Sequence, residues 1–405
     1  MTKPRWWLLA ALMMGAAGAQ PAWAQTAISE ILGFRDEKKP SVWDEVKLFS
    51  YIENSYTFNL GEAGRDATNE LRFYDFDEGY TFNMAELSIK KDPTEAHWWG
   101  FGLVTTAGLD AQKNHSLGLF RDKDDTFPFR NTRKFDLQEG YLSARIPVGN
   151  GLVVKGGKFV TLLGYEVIES PNNLNFSRGY LFSLAIPLTH TGGLLSYQVT
   201  DWFTATAGVV LGWDNSKDNN DRPSYTGQFA FTPIKDLTAS LNWIAGPEQN
   251  DRNSDPRYVV DIVAAYTGFK GFTIAANIDY GHEVDEAFLA SLGTRRDISA
   301  TWWGMAGYLA YDFTEKFRMA FRLEYFQDVD GARTGLGQQV DLVSATLTAQ
   351  YKIWKGLVGR AEFRHDQASD KIFSQRVSRP DASNGITARG NSLNTISLSL
   401  YYQFF

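Results

Sequence analysis

Charged side chains alternate with apolar ones in two segments near the C-terminal end of the chain. In residues 316–327 and 356–366 the apolar side chains fall on odd positions, and the charged ones share the opposite face. Lys352 lies in the segment between these two and is included with them. The charged residues are then Arg318, Arg322, Glu324, Lys352, Arg360, Glu362 and Arg364. Guanidinium and carboxylate groups at this spacing can pair with each other or attract dissolved ions. Two roles stay open: bracing a wall through ion pairs, and selecting charged solutes.

A second set of charges lies in residues 163–191, which hold too many apolar side chains for a freely solvated loop. The charged residues here are Glu166, Glu169 and Arg178. If the apolar side chains pack against an inner wall, the segment narrows the space inside. Its acids would then face the arginine wall, which we define as Arg318, Arg322, Arg360 and Arg364. Opposite charges across a narrow passage would produce a transverse field.

The sequence offers little support for catalysis or for a metal centre. Five histidines are scattered without a metal-binding spacing, namely His97, His115, His190, His282 and His365. His190 with Ser196 is the strongest hydrolase alternative, and plain hydrogen bonding explains that histidine better. Acidic groups in connecting segments could bind divalent ions, but a solvated loop surface is the simpler interpretation. These groups are Asp122, Asp124 and Asp125; Asp214, Asp218 and Asp221; and Asp328 and Asp330. We therefore predict no enzyme, no cofactor and no metal.

The elements that must position these side chains are strands. From residue 46 onward, aromatic and β-branched runs alternate with turn signals. The sixteen runs are 46–60, 80–91, 98–110, 135–147, 152–162, 192–200, 202–213, 224–232, 237–245, 257–267, 271–282, 300–313, 316–327, 339–352, 356–366 and 393–405. Arg or Lys on a lipid-facing side costs about 2–4 kcal/mol at the bilayer midplane. The charged faces must therefore point inward, into a polar interior.

The connections between the runs alternate between short and long. The long ones are polar, such as 111–134, 246–256 and 283–299. Aromatic residues near both ends of the runs, among them Trp213, Trp302 and Phe326 at the long-loop ends, predict two interfacial belts. This organisation predicts an all-β fold: a 16-stranded antiparallel up-and-down transmembrane β-barrel with an inward-folded constriction loop after strand 5.

The N-terminal segment predicts that the protein is exported, and the composition narrows its class. Lys3 and Arg5 precede an apolar run and an Ala22-Trp23-Ala24 cleavage motif, which predicts a signal peptide at 1–24. Its removal changes the net charge from −7 to −9, which argues against a nucleic-acid partner. The chain has no cysteine. Residues 25–45 are predicted as a short helix or a mobile tail, with the barrel at 46–405.

The last strand carries apolar residues at every second position up to Phe404, with Phe405 as an extra. In water such an ending would leave an exposed edge, whereas a closed barrel pairs it with residues 46–60. The pattern resembles the C-terminal signal that barrel-insertion machinery reads in bacterial outer-membrane proteins.

Residues around the segment 157–197 also resemble a known family. The matching residues are Gly157-Lys158-Phe159, Thr161, Gly164-Tyr165-Glu166, Asn175-Phe176-Ser177-Arg178, Pro187, His190-Thr191-Gly192 and Tyr197. They are similar to those of the outer-membrane beta-barrel porin-2, or OmpL-like, group. This resemblance implies a passive channel in the bacterial outer membrane and no catalytic residues.

We expect an outer-membrane porin that forms a water-filled channel for small hydrophilic solutes or ions. The alternative is an occluded structural or adhesive barrel without useful conductance. The expected partners are outer-membrane lipids and lipopolysaccharide, the barrel-insertion machinery through the C-terminal strand, and the solutes, with a homotrimer as a further possibility.

Overall fold

Alternating apolar and polar side chains favour strands because successive side chains of an extended chain point to opposite faces. A computed structural model describes residues 26–33, 41–60, 71, 78–121, 133–289, 295–375 and 388–404. These residues contain sixteen long strands: β1 (Lys47–Asn59), β2 (Gly79–Lys91), β3 (Trp99–Ala107), β4 (Phe135–Ile146), β5 (Leu152–Val160), β6 (Thr189–Thr200), β7 (Phe203–Val210), β8 (Ser224–Ile234), β9 (Leu237–Pro247), β10 (Pro256–Tyr266), β11 (Phe272–Leu289), β12 (Arg295–Asp312), β13 (Phe317–Asp328), β14 (Val340–Trp354), β15 (Leu357–Ala368) and β16 (Ser392–Gln403).

Each strand pairs antiparallel with the next, and the last strand pairs with the first. The closing pairs run from Tyr51 with Gln403 to Asn59 with Thr395. The sheet is therefore a closed barrel without a free edge, which satisfies every strand's backbone groups within the sheet. The predicted fold class, the strand number and the pairing of the last strand with the first are confirmed.

Side-chain burial along the strands follows the alternation. On β16, Leu398 and Leu400 are exposed on the outer surface while Ser397 and Ser399 are buried. On β13, Phe321 and Leu323 are exposed while Arg322 and Glu324 are buried. The outer surface is thus apolar, as a lipid-facing surface must be, and the charged side chains point inward.

The connections alternate between short turns and longer loops, as predicted, with one correction. The predicted long loop at 283–299 is largely absent because β11 and β12 are eighteen residues each and continue past the predicted ends. Their pairing is offset by a bulge between Glu283 and Glu286 and then extends to Leu289 with Arg295. A polar sequence does not distinguish a solvated hairpin beyond the membrane from a loop.

Shorter elements lie outside the barrel strands. They are the two-residue strands Thr26–Ala27, Ser116–Leu117 and Phe120–Arg121, the three-residue strands Phe373–Gln375 and Ala388–Gly390, the α-helix Ile28–Ile31, the 3₁₀ helices Val42–Asp44, Ala111–Asn114 and Ser170–Asn172, and the π-helix Leu181–Ala185. Thr26–Ala27 pairs with the first residues of β1. No helix among the described residues is long and apolar enough to cross a membrane. The predicted signal peptide lies outside the described residues.

Three aromatic residues predicted for the outer belt at the long-loop ends lie inside the barrel. Trp302 and Phe326 are completely buried, and Trp213 packs on the same internal cluster. Trp302 and Trp303 are consecutive in a strand, so only one of them can face lipid. Exposed rings such as Trp98, Trp202 and Trp354 do flank the short turns.

Candidate functional site

The loop between β5 and β6, residues 161–188, lies inside the barrel, and we call it L3. Its backbone N–H groups donate to side chains of distant strands. The pairs are Gly164 with Asp261 Oδ1 at 3.1 Å, Tyr165 with Asn277 Oδ1 at 3.2 Å, Tyr180 with Glu324 Oε2 at 2.7 Å and Phe176 with Glu362 Oε2 at 2.7 Å. These acceptors belong to β10, β11, β13 and β15. L3 therefore crosses the lumen and rests on the opposite wall.

Arg322 is the centre of this contact. Its Nη1 donates to Glu166 Oε1 at 2.5 Å and to the carbonyl oxygen of Ser177 at 2.6 Å. Its Nη2 donates to Thr346 Oγ1 at 3.1 Å, and its Nε lies 3.8 Å from Glu324 Oε1. The guanidinium is fully buried, so its charge is balanced by the two carboxylates rather than by solvent.

Two further arginines hold L3 through its backbone. Arg364 Nη1 donates to the carbonyl oxygen of Arg178 at 2.6 Å, and its Nε donates to Asp366 at 2.8 Å. Arg360 donates to the carbonyl oxygen of Ser170 at 3.1 Å and also pairs with Glu53. The wall supplies donors where the loop presents carbonyl groups, and it supplies carboxylates where the loop presents N–H groups.

The remaining charged residues of L3 act within the loop or face the other wall. Arg178 donates from Nε to the carbonyl oxygen of Val167 at 3.0 Å and from Nη1 to that of Phe176 at 2.7 Å, which closes the loop on itself. Glu169 accepts from Gln138 Nε2 at 2.7 Å. Glu169 is thus directed at β4, away from the arginine wall.

The residues expected to line a passage fall into two groups. Arg322, Glu324, Arg360, Glu362 and Arg364 are at most 3% exposed and lie beneath L3. Glu166 touches Arg322 directly, so the charges that were expected to face each other across a gap are in contact. When a loop is long enough to reach a wall of opposite charge, the attraction between the charges brings them into contact.

The second group borders open space on the short-turn side. A cavity of about 310 Å³ is lined by Arg318 and Lys352, with Tyr165 and Leu174 of L3 on its other side. The side chain of Arg318 is 32% exposed and donates to both carboxylate oxygens of Asp312, at 2.7 and 2.9 Å. These two cations are accessible to dissolved ions.

An aromatic and arginine cluster anchors the other end of L3. Trp302 Nε1 donates to the carbonyl oxygen of Ala185 at 3.1 Å, and Arg333 Nε donates to that of Leu184 at 2.7 Å. The guanidinium of Arg333 lies 4.7 Å from the ring centre of Trp213 and 5.0 Å from that of Trp302. Sequence reasoning missed this cluster, although the parity of Trp302 was a usable signal.

At the rim of the long-loop side, Glu248 follows the end of β9 and joins two loops. It accepts the Trp213 N–H at 2.6 Å and the Ser224 hydroxyl at 2.5 Å. Burial raises the pKa of Glu248 to about 7, although nearby Arg257 opposes the shift. This carboxyl group therefore titrates near neutral pH.

The hydrolase and metal alternatives gain no support from the geometry. His190 is bonded at both ring nitrogens, to the Gly212 carbonyl oxygen and to Thr161 Oγ1, and the Ser196 hydroxyl pairs with Thr206. Within the described part of the chain no three His, Asp or Glu residues are grouped to hold a metal ion.

Four of the loop acids accept hydrogen bonds from backbone N–H groups: Asp214, Asp218, Asp328 and Asp330. Asp214 Oδ1 accepts from the N–H groups of Leu188 and Thr189, and Asp328 accepts from Thr334. The group at 122–125 lies outside the described residues.

A closed sixteen-stranded barrel with an apolar exterior, a polar interior and a loop across the lumen defines the porin class of membrane proteins. The chain belongs to the family described as "Putative beta-barrel porin-2, OmpL-like", whose model matches residues 45–404. The family places it in the bacterial outer membrane as a channel-forming porin. The resemblance noted in the sequence is thereby confirmed.

Solved structures share the fold at low sequence identity. The outer membrane channel DcaP of Acinetobacter baumannii has a TM-score of 0.55 at 12% identity, covering 89% of this chain and 97% of that one. The anion-selective porin from Comamonas acidovorans has a TM-score of 0.55 at 11% identity, covering 89% and 99%. The trimer form of OmpT of Vibrio cholerae has a TM-score of 0.53 at 11% identity, covering 89% and 99%. A search of curated proteins found no match.

Proposed function

We propose that this porin passes small hydrophilic solutes and ions by diffusion, and that L3 is a fixed constriction of its lumen. The observation that carries this proposal is the set of buried bonds between L3 and β13–β15. Glu166 of the loop pairs with Arg322, and Glu324 lies 3.8 Å from Arg322 and 3.6 Å from Arg364, so releasing the loop would remove one carboxylate from this buried set of charges. L3 is therefore held at one position and does not act as a mobile plug.

The charged residues found from the sequence take two roles in this proposal. Arg322, Glu324, Arg360, Glu362 and Arg364 clamp L3, with Glu166 and Arg178 as the loop's side of the clamp. Arg318 and Lys352 line the vestibule on the short-turn side, where solutes leave the constriction. Glu169 faces the space on the far side of L3.

Planar-bilayer recording of the purified protein tests the proposal. Stable step conductance is expected, and a reversal potential in a salt gradient then reports the preferred charge. Silence at all voltages from correctly folded barrels would overturn the channel and support an occluded structural or adhesive barrel instead. Folding is checked independently by the slower gel migration of the protein after heating.

The processing and assembly of the chain follow from the same proposal. We infer that residues 1–24 are removed before Gln25, that residues 25–45 precede the barrel, and that the C-terminal strand is read by the insertion machinery. N-terminal sequencing of the protein from outer membranes tests the cleavage site. We also infer a homotrimer, supported by the trimer form of OmpT, and native mass spectrometry tests it. Catalysis is not part of the proposal, and neither is any cofactor.

A further inference from the structure

Two aspartates on neighbouring strands lie beneath the first part of L3. Asp261 on β10 and Asp279 on β11 are direct cross-strand partners, and both side chains are completely buried. Directly opposed residues of an antiparallel pair share one face of the sheet, with Cβ atoms about 4.5–5.5 Å apart. The two carboxyl groups are hydrogen-bonded to each other. Such a bond requires a proton on one of the two groups, because an ionised carboxylate only accepts.

Asp261 has the surroundings of a charged carboxylate. Its Oδ1 accepts from the N–H group of Gly164 in L3 at 3.1 Å and from the side-chain amide of Asn242. Its Oδ2 accepts from Nδ2 of Asn277 at 2.5 Å, and Asn277 in turn accepts the N–H group of Tyr165 at 3.2 Å. Hydrogen bonds to a carboxylate favour its charged form. Asp261 is therefore the ionised member of the pair, and it anchors the first residues of L3.

Asp279 has the surroundings of a neutral carboxyl group. Neither of its oxygens accepts from an N–H or a hydroxyl group of the described residues. An ionised Asp279 would be a buried charge without a donor, directly beside the charge of Asp261, and both effects are unfavourable. A proton on Asp279 removes both penalties, since its O–H group then donates to Asp261.

A bound cation could also balance two carboxylates, but the surroundings of this pair favour a proton. The amide groups of Asn242 and Asn277 direct their hydrogens at both oxygens of Asp261, whereas a metal ion requires oxygen atoms that face it. The amide oxygens are bonded elsewhere: Asn242 Oδ1 accepts from Gln228 Nε2 at 2.8 Å, and Asn277 Oδ1 accepts from L3. Asp279 alone would be left to hold such an ion.

L3 covers the pair from the lumen side. Besides the bonds of Gly164 and Tyr165, a second part of the loop packs next to Asp279. Gly304 on β12 is the cross-strand partner of Asp279, and a Cβ atom added to Gly304 would lie 2.8 Å from Cδ1 of Leu181 in L3. Water could therefore solvate an ionised Asp279 only if L3 moved.

Other titratable groups on the inner faces of the surrounding elements do not pair with the two aspartates. They are Arg257 on β10, Glu283 on β11, Tyr308 on β12, Arg322 and Glu324 on β13, and Tyr165 and Glu166 of L3. Arg257 pairs with Glu283 at 2.6 Å, and Arg322 pairs with Glu166 at 2.5 Å. The rings of Tyr165 and Tyr308 pack together with their centres 4.5 Å apart. β9 supplies Asn242 and contains no titratable residue.

We propose that Asp261 and Asp279 share one proton, held by Asp279, and that this proton keeps the first part of L3 in its constricting position. Loss of the proton at alkaline pH would place two adjacent charges beneath the loop, so water must enter and Gly164 and Tyr165 are released. The stabilisation is present while the pair is protonated and is lost as the pH rises through its titration. The inference rests on the proposed constriction and adds the group that supports it.

Infrared spectroscopy tests the proton, because a protonated carboxyl group and a carboxylate absorb at different wavenumbers. The parent protein at neutral pH is expected to show a protonated-carboxyl band that is lost in Asp279→Asn. The control Asp201→Asn, in an exposed turn, should retain the band in full. An undiminished band in Asp279→Asn would overturn the shared proton, and so would protection of L3 that depends on added metal ions.

Hydrogen exchange tests the effect on L3. After correction for intrinsic rates, the amides of Gly164 and Tyr165 should lose protection between neutral and alkaline pH, while those of Gly179 and Tyr180 keep theirs. Asp279→Asn can donate to Asp261 but cannot ionise, so its Gly164 and Tyr165 amides should stay protected at both pH values. The same loss in Asp279→Asn, or constant protection in the parent, would overturn the role of the proton.

These two measurements do not depend on conductance. A folded barrel that is silent in planar bilayers would overturn the proposed channel and leave the infrared and exchange results intact. Conversely, a conducting parent protein whose protonated-carboxyl band is unaffected by Asp279→Asn would overturn the shared proton alone.

Discussion

At the scale of single residues, the effect of removing a charged side chain on stability depends on how deeply that side chain is buried. Arg322 is fully buried between two carboxylates, and Arg318 is partly exposed beside one. Removing one member of a buried ion pair costs about 3–5 kcal/mol because the partner stays behind without compensation. An exposed pair contributes about 0–1 kcal/mol.

We therefore predict that Arg322→Ala releases L3 whereas Arg318→Ala does not. Hydrogen exchange at the amides of Gly179 and Tyr180, which are bonded to Glu166 and Glu324, should accelerate in the first variant alone. The barrel itself should persist in both variants, as judged by gel migration before and after heating. Equal protection of L3 in the two variants would contradict the clamp.

Glu248 gives a pH dependence whose sign follows from its pKa. The folded state holds the proton up to about pH 7, while the unfolded chain releases it near the ordinary value of 4.5. The contribution of this group to stability is therefore complete below about pH 4.5 and is lost as the pH rises through about 7. Exchange at the Trp213 amide, corrected for its intrinsic rate, should be slower at pH 4.5 than above pH 7.

The control for that prediction is Glu248→Gln, which keeps the shape of the side chain and cannot ionise. Protection at Trp213 should then be independent of pH across the same range. A persistent pH dependence in this variant would assign the effect to a group other than Glu248.

At the scale of elements, the strands could be predicted because lipid on one side and water on the other impose a strict two-residue period. That constraint ends at the membrane surface, which is why the outer parts of β11 and β12 resembled a loop. Within the membrane, the two-residue period was enough to predict which faces of β13 and β15 point inward. It could not show that Arg322 meets Glu166, since such a contact depends on where a distant loop lies.

The same limit applies to the inward-facing polar side chains of β2, β3 and β4. Glu86, Thr106 and Asp136 are far apart in the sequence, and only the register of β2, β3 and β4 brings them to one depth. Register depends on the length and bulges of each turn, and the bulge between Val104 and Thr105 shifts it. A periodic pattern alone does not contain this information.

The C-terminal strand β16 ends at Gln403, directly before Phe404. Phe404 is exposed on the outer surface, and its N–H donates to the carbonyl oxygen of Ser50 on β1. Phe404 thus continues the lipid-facing row, while Phe405 lies outside the described residues. Phe404→Ala should reduce the amount of folded protein in outer membranes, and deletion of Phe405 should be tolerated. Comparable assembly defects in the two variants would mean that Phe405 also belongs to the signal.

At the scale of the whole molecule, the barrel and L3 are stabilised by different interactions. The barrel depends on backbone pairing closed by β1 and β16, which involves no residue of L3. L3 depends on side chains that become available only when β10, β13 and β15 are already in place. We therefore expect the barrel to form without L3, whereas L3 depends on the barrel for its contacts.

Because the barrel strands pair without L3, the effect of L3 on conductance can be measured by removing the loop. Replacing residues 166–185 by a short glycine and serine linker should leave a folded barrel with a larger unitary conductance, because L3 crosses the lumen. The exposed clamp charges would then face water, which solvates them at little cost. As a control, exchanging residues 252–254 at the rim for glycines should not alter conductance. An unchanged conductance after removal of L3 would show that the narrowest point lies elsewhere, and loss of the folded barrel would show that L3 is needed for its assembly.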